Sequence, residues 1–208
     1  MSEENKKTGV LYEILKEIKK LTNNSKEIQL YPAKRILLSS KQNNKICSIA
    51  ANTPDVIESF NLIEPIGFNV TVGILPISGI KLSEYSDLSD KIIAVPLGII
   101  FDEKFHNDKS LNKVHPPAYI NGIRMLKKGR ADAVAGAIPM LKYIAKKENI
   151  SKSFFDKPLI MFEASMYLIC NKSIKKEETD ILKDALKKLK SNGKTQQILD
   201  NYFDISEN

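Results

Sequence analysis

The chain has 208 residues, of which 42% are hydrophobic and 27% charged, a composition typical of one large globular domain or of two small lobes with apolar cores. Its longest apolar runs have the length of strands and fall short of the ~20 residues that a membrane-spanning helix needs, so no membrane insertion is expected. The formal net charge is +7, the lysines are mixed with Asp and Glu along helical segments, and Trp is absent. We therefore interpret the basic residues as a solvated surface and expect no nucleic-acid partner.

The N-terminal part of the chain alternates helical and extended patterns. Apolar residues at helical spacing predict a helix over 9–21, alternation predicts a strand over 27–31, and a short helix is expected over 33–40. A strand over 45–50 leads to a helix that begins at Pro54, followed by a long β-prone run over 66–75. Thr53 is a plausible N-cap of that helix, and Asp55 lies near the positive end of its dipole. Such a helix start is a natural site for an anion, yet its first turn has Val56 and no cation.

The rest of the chain repeats this alternation. Helical segments are predicted over 82–90, 98–105, 120–128 and 139–147, with strands over 91–96 and 131–135 between them. A strand over 164–170 precedes a terminal helical region, 175–203, which Asn192 and Gly193 interrupt. Short strands alternating with helices favour an α/β fold with a parallel sheet.

Few residues form a recognisable chemical site. Cys47 and Cys170 each lie in an apolar, strand-like context, and a buried free thiol is expected for both rather than a disulfide or a metal ligand. His106 and His115 lack partners at metal-binding spacing. The chain has no Gly-x-Ser-x-Gly, no phosphate-binding Gly-x-x-x-x-Gly-Lys-Ser/Thr and no Cys-x-x-Cys. We therefore predict no catalytic site, no metal and no cofactor.

Several motifs in order resemble the family 3 extracellular solute-binding proteins, the amino-acid-type receptors of ABC importers. "DLSDKIIAVPLG" (87–98) is similar to the family's entry to its second lobe, and "MLKKGRADAVAG" (125–136) to its Gly-Arg-x-Asp-Ala corner. "ALKKLKSNGKTQQILDNYF" (185–203) resembles the closing signature. "TPDVIESFNLIEPI" (53–66) and "YPAKR" (31–35) resemble its Thr-Pro-Glu-Arg segment and a Pro-x-x-Arg variant.

The resemblance implies a two-lobed type 2 periplasmic-binding-protein fold with a two-strand hinge near 67–76 and 162–170. Lobe I would comprise 1–76 and 162–208, and lobe II 77–161, with a small-molecule ligand trapped as the lobes close. It also implies a periplasmic or extracellular location and, as a partner, an ABC permease. The polar start of the chain lacks the apolar stretch of a secretory signal, which is expected of a cytosolic protein or of a mature exported form.

The chain departs from the family pattern at the site that holds an amino acid. Val56 stands where the family has the arginine that binds the ligand α-carboxylate. The acidic residue that receives the α-ammonium falls at about Ala137, and the hydroxyl pair after Gly98 is replaced by Ile99 and Ile100. The strand that normally precedes the first helix is also missing, either because it was removed or because this is a divergent protein. We therefore expect an atypical ligand, less polar or held through backbone N–H groups.

The candidate site residues come from the segments that the resemblance places beside the ligand. Asn52 and Thr53 end a strand and begin a helix, where a turn former and a simple N-cap are the alternatives. Gly98 permits close backbone approach but also suits a tight turn. Glu163 is either a ligand contact or a solvated rim charge. The predicted ligand-binding residues are Tyr31, Arg35, Ser48, Asn52, Thr53, Gly98, Gly136 and Glu163.

Three functions remain open from the sequence. The first is a non-enzymatic solute-binding protein, or a sensor built from the same domain. The second is a degenerate domain that serves as an interaction or regulatory module through its basic surface. The third is a dehydratase-like enzyme on this fold, for which only Glu163 or Arg35 is available as an acid or base.

Overall fold

A computed structural model of the chain describes residues 7–31, 33–40, 45–97 and 103–203. The chain divides into two compact units, of which unit 1 comprises Met1–Asn69 with Ala164–Asn208 and unit 2 comprises Val70–Glu163. Both divisions fall within long strands, β2 (Phe60–Pro76) and β6 (Leu159–Asn171). These two strands include the segments that the sequence analysis assigned to a hinge.

Three helices form one layer of unit 1. They are α1 (Val10–Leu21), α7 (Lys176–Ser191) and α8 (Lys194–Tyr202). The apolar stripe predicted for α1 is buried at Val10, Ile14 and Ile18, and the helix packs against α7 and α8. The predicted interruption lies at Gly193, whose backbone adopts a left-handed conformation (φ 73°) between the two terminal helices.

Strand β1 (Cys47–Ala51) pairs antiparallel with β6, so that Cys47 lies opposite Cys170 and Ala51 opposite Met166. The two cysteines form a disulfide, with their Cα atoms 4.1 Å apart. The prediction of two free thiols was therefore wrong. Antiparallel pairing brings side chains of directly opposite residues together, and no local pattern reveals which strand faces which.

The predicted strand over 27–31 is absent, since these residues form no strand in the described part of the chain. Their alternation does appear as burial, because Ile28 and Leu30 are half-buried and Gln29 is exposed. A strand requires a neighbour to hydrogen-bond, whereas the alternating pattern requires only one buried face. Among the described residues, β1 lies at one end of the sheet, with β6 as its single strand neighbour. The predicted helix over 33–40 is confirmed as α2 (Ala33–Ser40), and α3 spans Pro54–Ser59.

Unit 2 contains the strands β3 (Ile92–Ala94), β4 (Asn112–Val114) and β5 (Ala133–Ala137). The strand order is β1-β6-β2-β5-β3-β4, with β3 parallel to β4 and β5 and with β2 antiparallel to β5. The α/β fold is confirmed, but the prediction of a parallel sheet was wrong. The two long strands run antiparallel to a neighbour, β2 to β5 and β6 to β1. Strand β4, only three residues long, was not predicted.

The strands of unit 2 place alternate residues in two apolar clusters. Ile74, Ile93 and Ala135 belong to one cluster, together with Phe105 of α4 (Glu103–Asn107). The residues that follow Ile74 and Ile93 belong to the other, which includes the apolar faces of α5 (Tyr119–Lys127) and α6 (Ile138–Lys147). Because side chains alternate along a strand, each face of this sheet is covered by its own layer. The helix predicted over 82–90 is reduced to a single 3₁₀ turn, Tyr85–Leu88.

Candidate functional site

Val56 is a core residue of unit 1. It lies in the first turn of α3, is 6% exposed, and belongs to an apolar cluster with Phe60 and Ile169. Asp55 and Ile57, its neighbours along the chain, are exposed. The residue that the motif resemblance places at the position of the carboxylate-binding arginine is therefore an aliphatic side chain of the apolar core.

Thr53 precedes this helix with the extended backbone of an N-cap residue (φ −70°, ψ 159°), but its side chain makes no capping hydrogen bond. Its backbone carbonyl instead accepts a hydrogen bond from the amide of Ile57 at 3.0 Å. Thr53 as a whole residue is half-buried at the start of α3, and its hydroxyl stays a predicted ligand contact.

Asn52 extends the ladder between β1 and β6 by one residue. Its amide N–H donates to the carbonyl of Ser165 at 3.0 Å, and its side-chain Oδ1 accepts from the amide of Ser165 at 2.9 Å. The hydroxyl of Ser165 donates in turn to Oδ1 of Asn69, at 2.8 Å. Sequence reasoning missed Ser165 and Asn69, since neither lies in a recognisable motif. The Asn52 side chain thus has a structural role whether or not it contacts a ligand.

Tyr31 and Arg35 are brought together. The guanidinium carbon of Arg35 lies 4.1 Å above the centroid of the Tyr31 ring, a cation–π contact, and the Tyr31 hydroxyl is hydrogen-bonded to Oε1 of Gln29. Tyr31 is half-buried and Arg35 is exposed, so the guanidinium of Arg35 is accessible to bind an anion. Ser48 is half-buried within β1, opposite Ile169.

In unit 2, Glu163 is an exposed residue of β6 whose Oε1 accepts a hydrogen bond from the hydroxyl of Thr71, at 3.5 Å. Its exposure fits the interpretation as a solvated rim charge. Gly98, Ile99 and Ile100 lie outside the described residues.

Gly136 lies directly against the ring of Tyr119. A Cβ atom at Gly136 would lie only 2.2 Å from Cε1 of the Tyr119 ring, so the strand accommodates the ring because residue 136 has no side chain. Tyr119 begins α5, and Gly136 is the penultimate residue of β5. Sequence reasoning selected Gly136 but missed Tyr119, although an aromatic residue at a helix start just after Pro116 and Pro117 was a usable signal.

The Tyr119 hydroxyl lies at the carboxyl end of β5, where the backbone amide of Ala137 donates to it at 3.3 Å. Burial raises the pKa of the Tyr119 phenol, so that the group stays protonated and neutral well above physiological pH. Because its oxygen accepts from Ala137, its own proton is a donor, for which the described residues contain no acceptor. Tyr119 as a whole residue is half-buried.

We expect Gly136→Ala to lower the free energy of unfolding of unit 2 by about 1–3 kcal/mol, because the added methyl group overlaps the Tyr119 ring. In a Tyr119→Ala background the same substitution is expected to cost much less, since the ring is gone. A double-mutant cycle measured by urea unfolding tests this pair. Additive effects of the two substitutions would contradict the contact.

The described residues contain no group of three or more His, Cys, Asp or Glu that could hold a metal ion. His115 instead contacts the carbonyl of Val95 through Nδ1, at 3.1 Å. Nor does the described part of the chain include a helix long and apolar enough to cross a membrane.

The chain was compared with known proteins and structures. No protein-family model and no curated protein matches the sequence. Among solved structures, the glutamate-bound ligand-binding core of GluR0 from Nostoc punctiforme is similar, with 22% identity, a TM-score of 0.77, and coverage of 95% of this chain and 92% of that one. A mutant of ArgBP from T. maritima has 18% identity and a TM-score of 0.74 over 94% of this chain and 85% of its own. The substrate-binding protein of an amino acid ABC transporter has 17% identity and a TM-score of 0.68, with 92% and 86% covered.

These structures match nearly the whole of this chain and of their own. The similarity extends over both units, and it confirms the architecture that the five motifs implied. At this level of sequence identity the comparison establishes the fold, whereas function depends on the residues of the site. The chain has the type 2 periplasmic-binding-protein fold.

Proposed function

We propose that this protein is a non-enzymatic solute-binding protein whose ligand lacks the α-carboxylate and α-ammonium groups of a free amino acid. The burial of Val56 among Phe60 and Ile169 supports the proposal most directly, because an aliphatic core residue cannot form the bidentate contact that an arginine makes with a carboxylate. Ala137, at the position of the expected acid, offers a backbone amide that is already bonded to Tyr119.

The remaining polar groups favour an uncharged ligand. Tyr119 supplies a neutral phenol on unit 2, and Thr53 supplies a neutral hydroxyl on unit 1. Hydroxyl groups of this kind suit the carbonyl, hydroxyl or amide groups of a neutral solute, which exchange hydrogen bonds without a charge to neutralise. One similar structure, from Nostoc punctiforme, is described as a complex with L-glutamate, and another as an ancestral arginine-binding protein bound to arginine, so this chain would differ from them in ligand class.

The disulfide supports a periplasmic or extracellular location. Structural disulfides persist in oxidising compartments and are rare in the cytosol. A location outside the cytosol is also where the receptor of an importer works, and one similar structure is described as the substrate-binding protein of an amino acid ABC transporter. We therefore propose an ABC permease as the partner that receives the solute.

The oxidised protein should be screened by thermal shift and calorimetry against two matched sets of compounds. One set is the proteinogenic α-amino acids, and the other comprises neutral solutes such as sugars, nucleosides, amides and N-acylated amino-acid amides. We expect no α-amino acid to bind with a Kd below about 1 mM, whereas at least one neutral solute raises the Tm.

Tyr119→Phe provides the control for the site. It removes the phenol oxygen and keeps the ring over Gly136, so we expect it to weaken binding of the neutral solute about 5- to 10-fold without lowering the Tm of the free protein by more than a few degrees. Micromolar binding of an unmodified α-amino acid would overturn the proposed ligand class. A neutral ligand whose affinity is the same with Tyr119→Phe would remove Tyr119 from the site.

A further inference from the structure

The end of strand β1 departs from a regular antiparallel ladder at Asn52. The register of β1 against β6 places Asn52 opposite Ser165, one residue beyond the paired strands. In a regular hydrogen-bonded pair the amide of each residue donates to the backbone carbonyl of the other. The Asn52 amide does donate to the Ser165 carbonyl, but the Ser165 amide donates to Oδ1 of Asn52, at 2.9 Å. The side chain of Asn52 thus takes the place of its own carbonyl.

This exchange fixes the orientation of the Asn52 side-chain amide. A backbone N–H is only a donor, so the atom that faces it must be the side-chain oxygen, which leaves Nδ2 without that partner. Nδ2 has no acceptor among the described residues. It is also not fully buried, since in the described part of the chain the one fully buried side-chain oxygen or nitrogen without a partner is Oγ1 of Thr195. Nδ2 is therefore an accessible donor.

The same exchange leaves an acceptor on Asn52. Its backbone carbonyl would ordinarily accept from the Ser165 amide, and no other donor in the described residues bonds to it. The Ser165 hydroxyl is engaged elsewhere, because it donates to Oδ1 of Asn69 at 2.8 Å. Asn52 therefore has one neutral donor group and one neutral acceptor group that no described residue satisfies.

We propose that Asn52 recognises a carboxamide group of the solute, an inference that rests on the proposed function and narrows its ligand class. A carboxamide has a carbonyl acceptor and an N–H donor on neighbouring atoms. Its oxygen accepts from Nδ2, and its N–H donates to the Asn52 carbonyl. A primary amide, a lactam and a peptide bond each offer this pair of groups.

The way Asn52 is held favours an amide over a hydroxyl group. Ser165 fixes the direction of Nδ2, and the backbone of Asn52 fixes its carbonyl. Both groups of a planar amide are fixed as well, whereas a hydroxyl proton rotates, so two preorganised partners lose less freedom when they bind. Asn52 also lies at the carboxyl end of β1, directly before Thr53, and strand ends of this kind bind ligands in open α/β sheets.

Matched probes test the ligand chemistry on the unaltered, oxidised protein. The probes are the primary amides benzamide, nicotinamide and isobutyramide, the methyl ester that corresponds to each, and glucose and ribose. Each ester keeps the carbonyl and replaces the N–H donor with oxygen. We expect at least one amide to bind at least about 10-fold more tightly than its ester in calorimetry or ligand-detected NMR, and the sugars not to bind.

Asn52→Asp tests the residue itself. One carboxylate oxygen can still accept from the Ser165 amide, while the other puts an acceptor in place of the donor Nδ2. We expect the amide to bind at least about 10-fold more weakly, with the Tm of the free protein lowered by no more than a few degrees. Asn201→Asp makes the same change of charge at an exposed residue of α8 and should alter binding less than about twofold.

Four results would overturn the inference. They are equal binding of each amide and its ester, unaltered affinity with Asn52→Asp, an equal loss in both variants, and binding of a sugar while every amide fails. The last of these would leave the proposed function intact, because the ligand would still be a neutral solute. Micromolar binding of an unmodified α-amino acid would refute the proposed function, and the inference with it.

Discussion

Loss of the Cys47–Cys170 bond is expected to lower the free energy of unfolding of unit 1 by about 3–5 kcal/mol. The bond closes a loop over a sequence separation of 123 residues, and long loops give large losses of entropy in the unfolded chain. It also joins the end strand β1 to β6, and the described residues include no other strand that pairs with β1. The effect should appear in Cys47→Ser with Cys170→Ser and, equally, in the reduced natural protein.

Urea unfolding monitored by hydrogen exchange at individual amides distinguishes a loss of stability in unit 1 from a loss in unit 2. Amides of β1 and β6 opposite one another, such as Ile49 and Leu168, should lose protection, while Ile93 and Val134 in unit 2 should keep theirs. Adding reductant to the double serine variant is the control, and it should change neither the unfolding curve nor the protection of these amides. Unaltered protection of Ile49 after reduction would show that the bond does not stabilise this strand.

Val56→Arg is expected to destabilise the protein by about 3–5 kcal/mol and not to restore amino-acid binding. The substitution would place a guanidinium among the apolar side chains that surround residue 56, which include Phe60 and Ile169. To escape that burial, α3 would have to move away from β6. Chemical unfolding measures the loss of stability, and calorimetry with glutamate and arginine measures binding.

Ile57→Arg is the matched control, because it makes the same change at the next residue of the same helix. Ile57 is 50% exposed, so its substitution should alter stability by no more than about 0.5 kcal/mol. A Val56→Arg variant as stable as this control, and able to bind an α-amino acid at micromolar Kd, would show that residue 56 faces the ligand. Such a result would refute the core role assigned to Val56.

Features encoded within one helix could be predicted from the sequence. The stripe of α1, the Pro54 start of α3 and the Gly193 break each depend on residues a few positions apart, and each lies where it was expected. Segment 27–31 shows the limit of this approach, because its alternation is that of a strand while pairing depends on a distant partner. The same limit explains why the disulfide was not predicted, since the contact between the two cysteines follows from the register of β1 against β6.

In the candidate site, too, features within one motif could be predicted from the sequence, whereas contacts between distant residues could not. The replacement of an arginine by Val56 is visible in a single motif, whereas its packing on Ile169 depends on a strand more than 100 residues away. Gly136 is conspicuous in the sequence, but the ring that fills its space comes from Tyr119 on a different element. Ser165 and Asn69 are joined only by the adjacent strands β6 and β2. Polar side chains that meet across strands leave no local signature.

The discontinuity of unit 1 determines the order in which the chain can fold as it is synthesised. Unit 2 is a single stretch, Val70–Glu163, so every residue that it needs is present before Ala164 emerges. Unit 1 must wait for β6, α7 and α8, and α1 has neither of its partner helices, α7 and α8, until then. The disulfide cannot form before Cys170 is made. Domains with local contacts form first during synthesis, so unit 2 is expected to fold before unit 1.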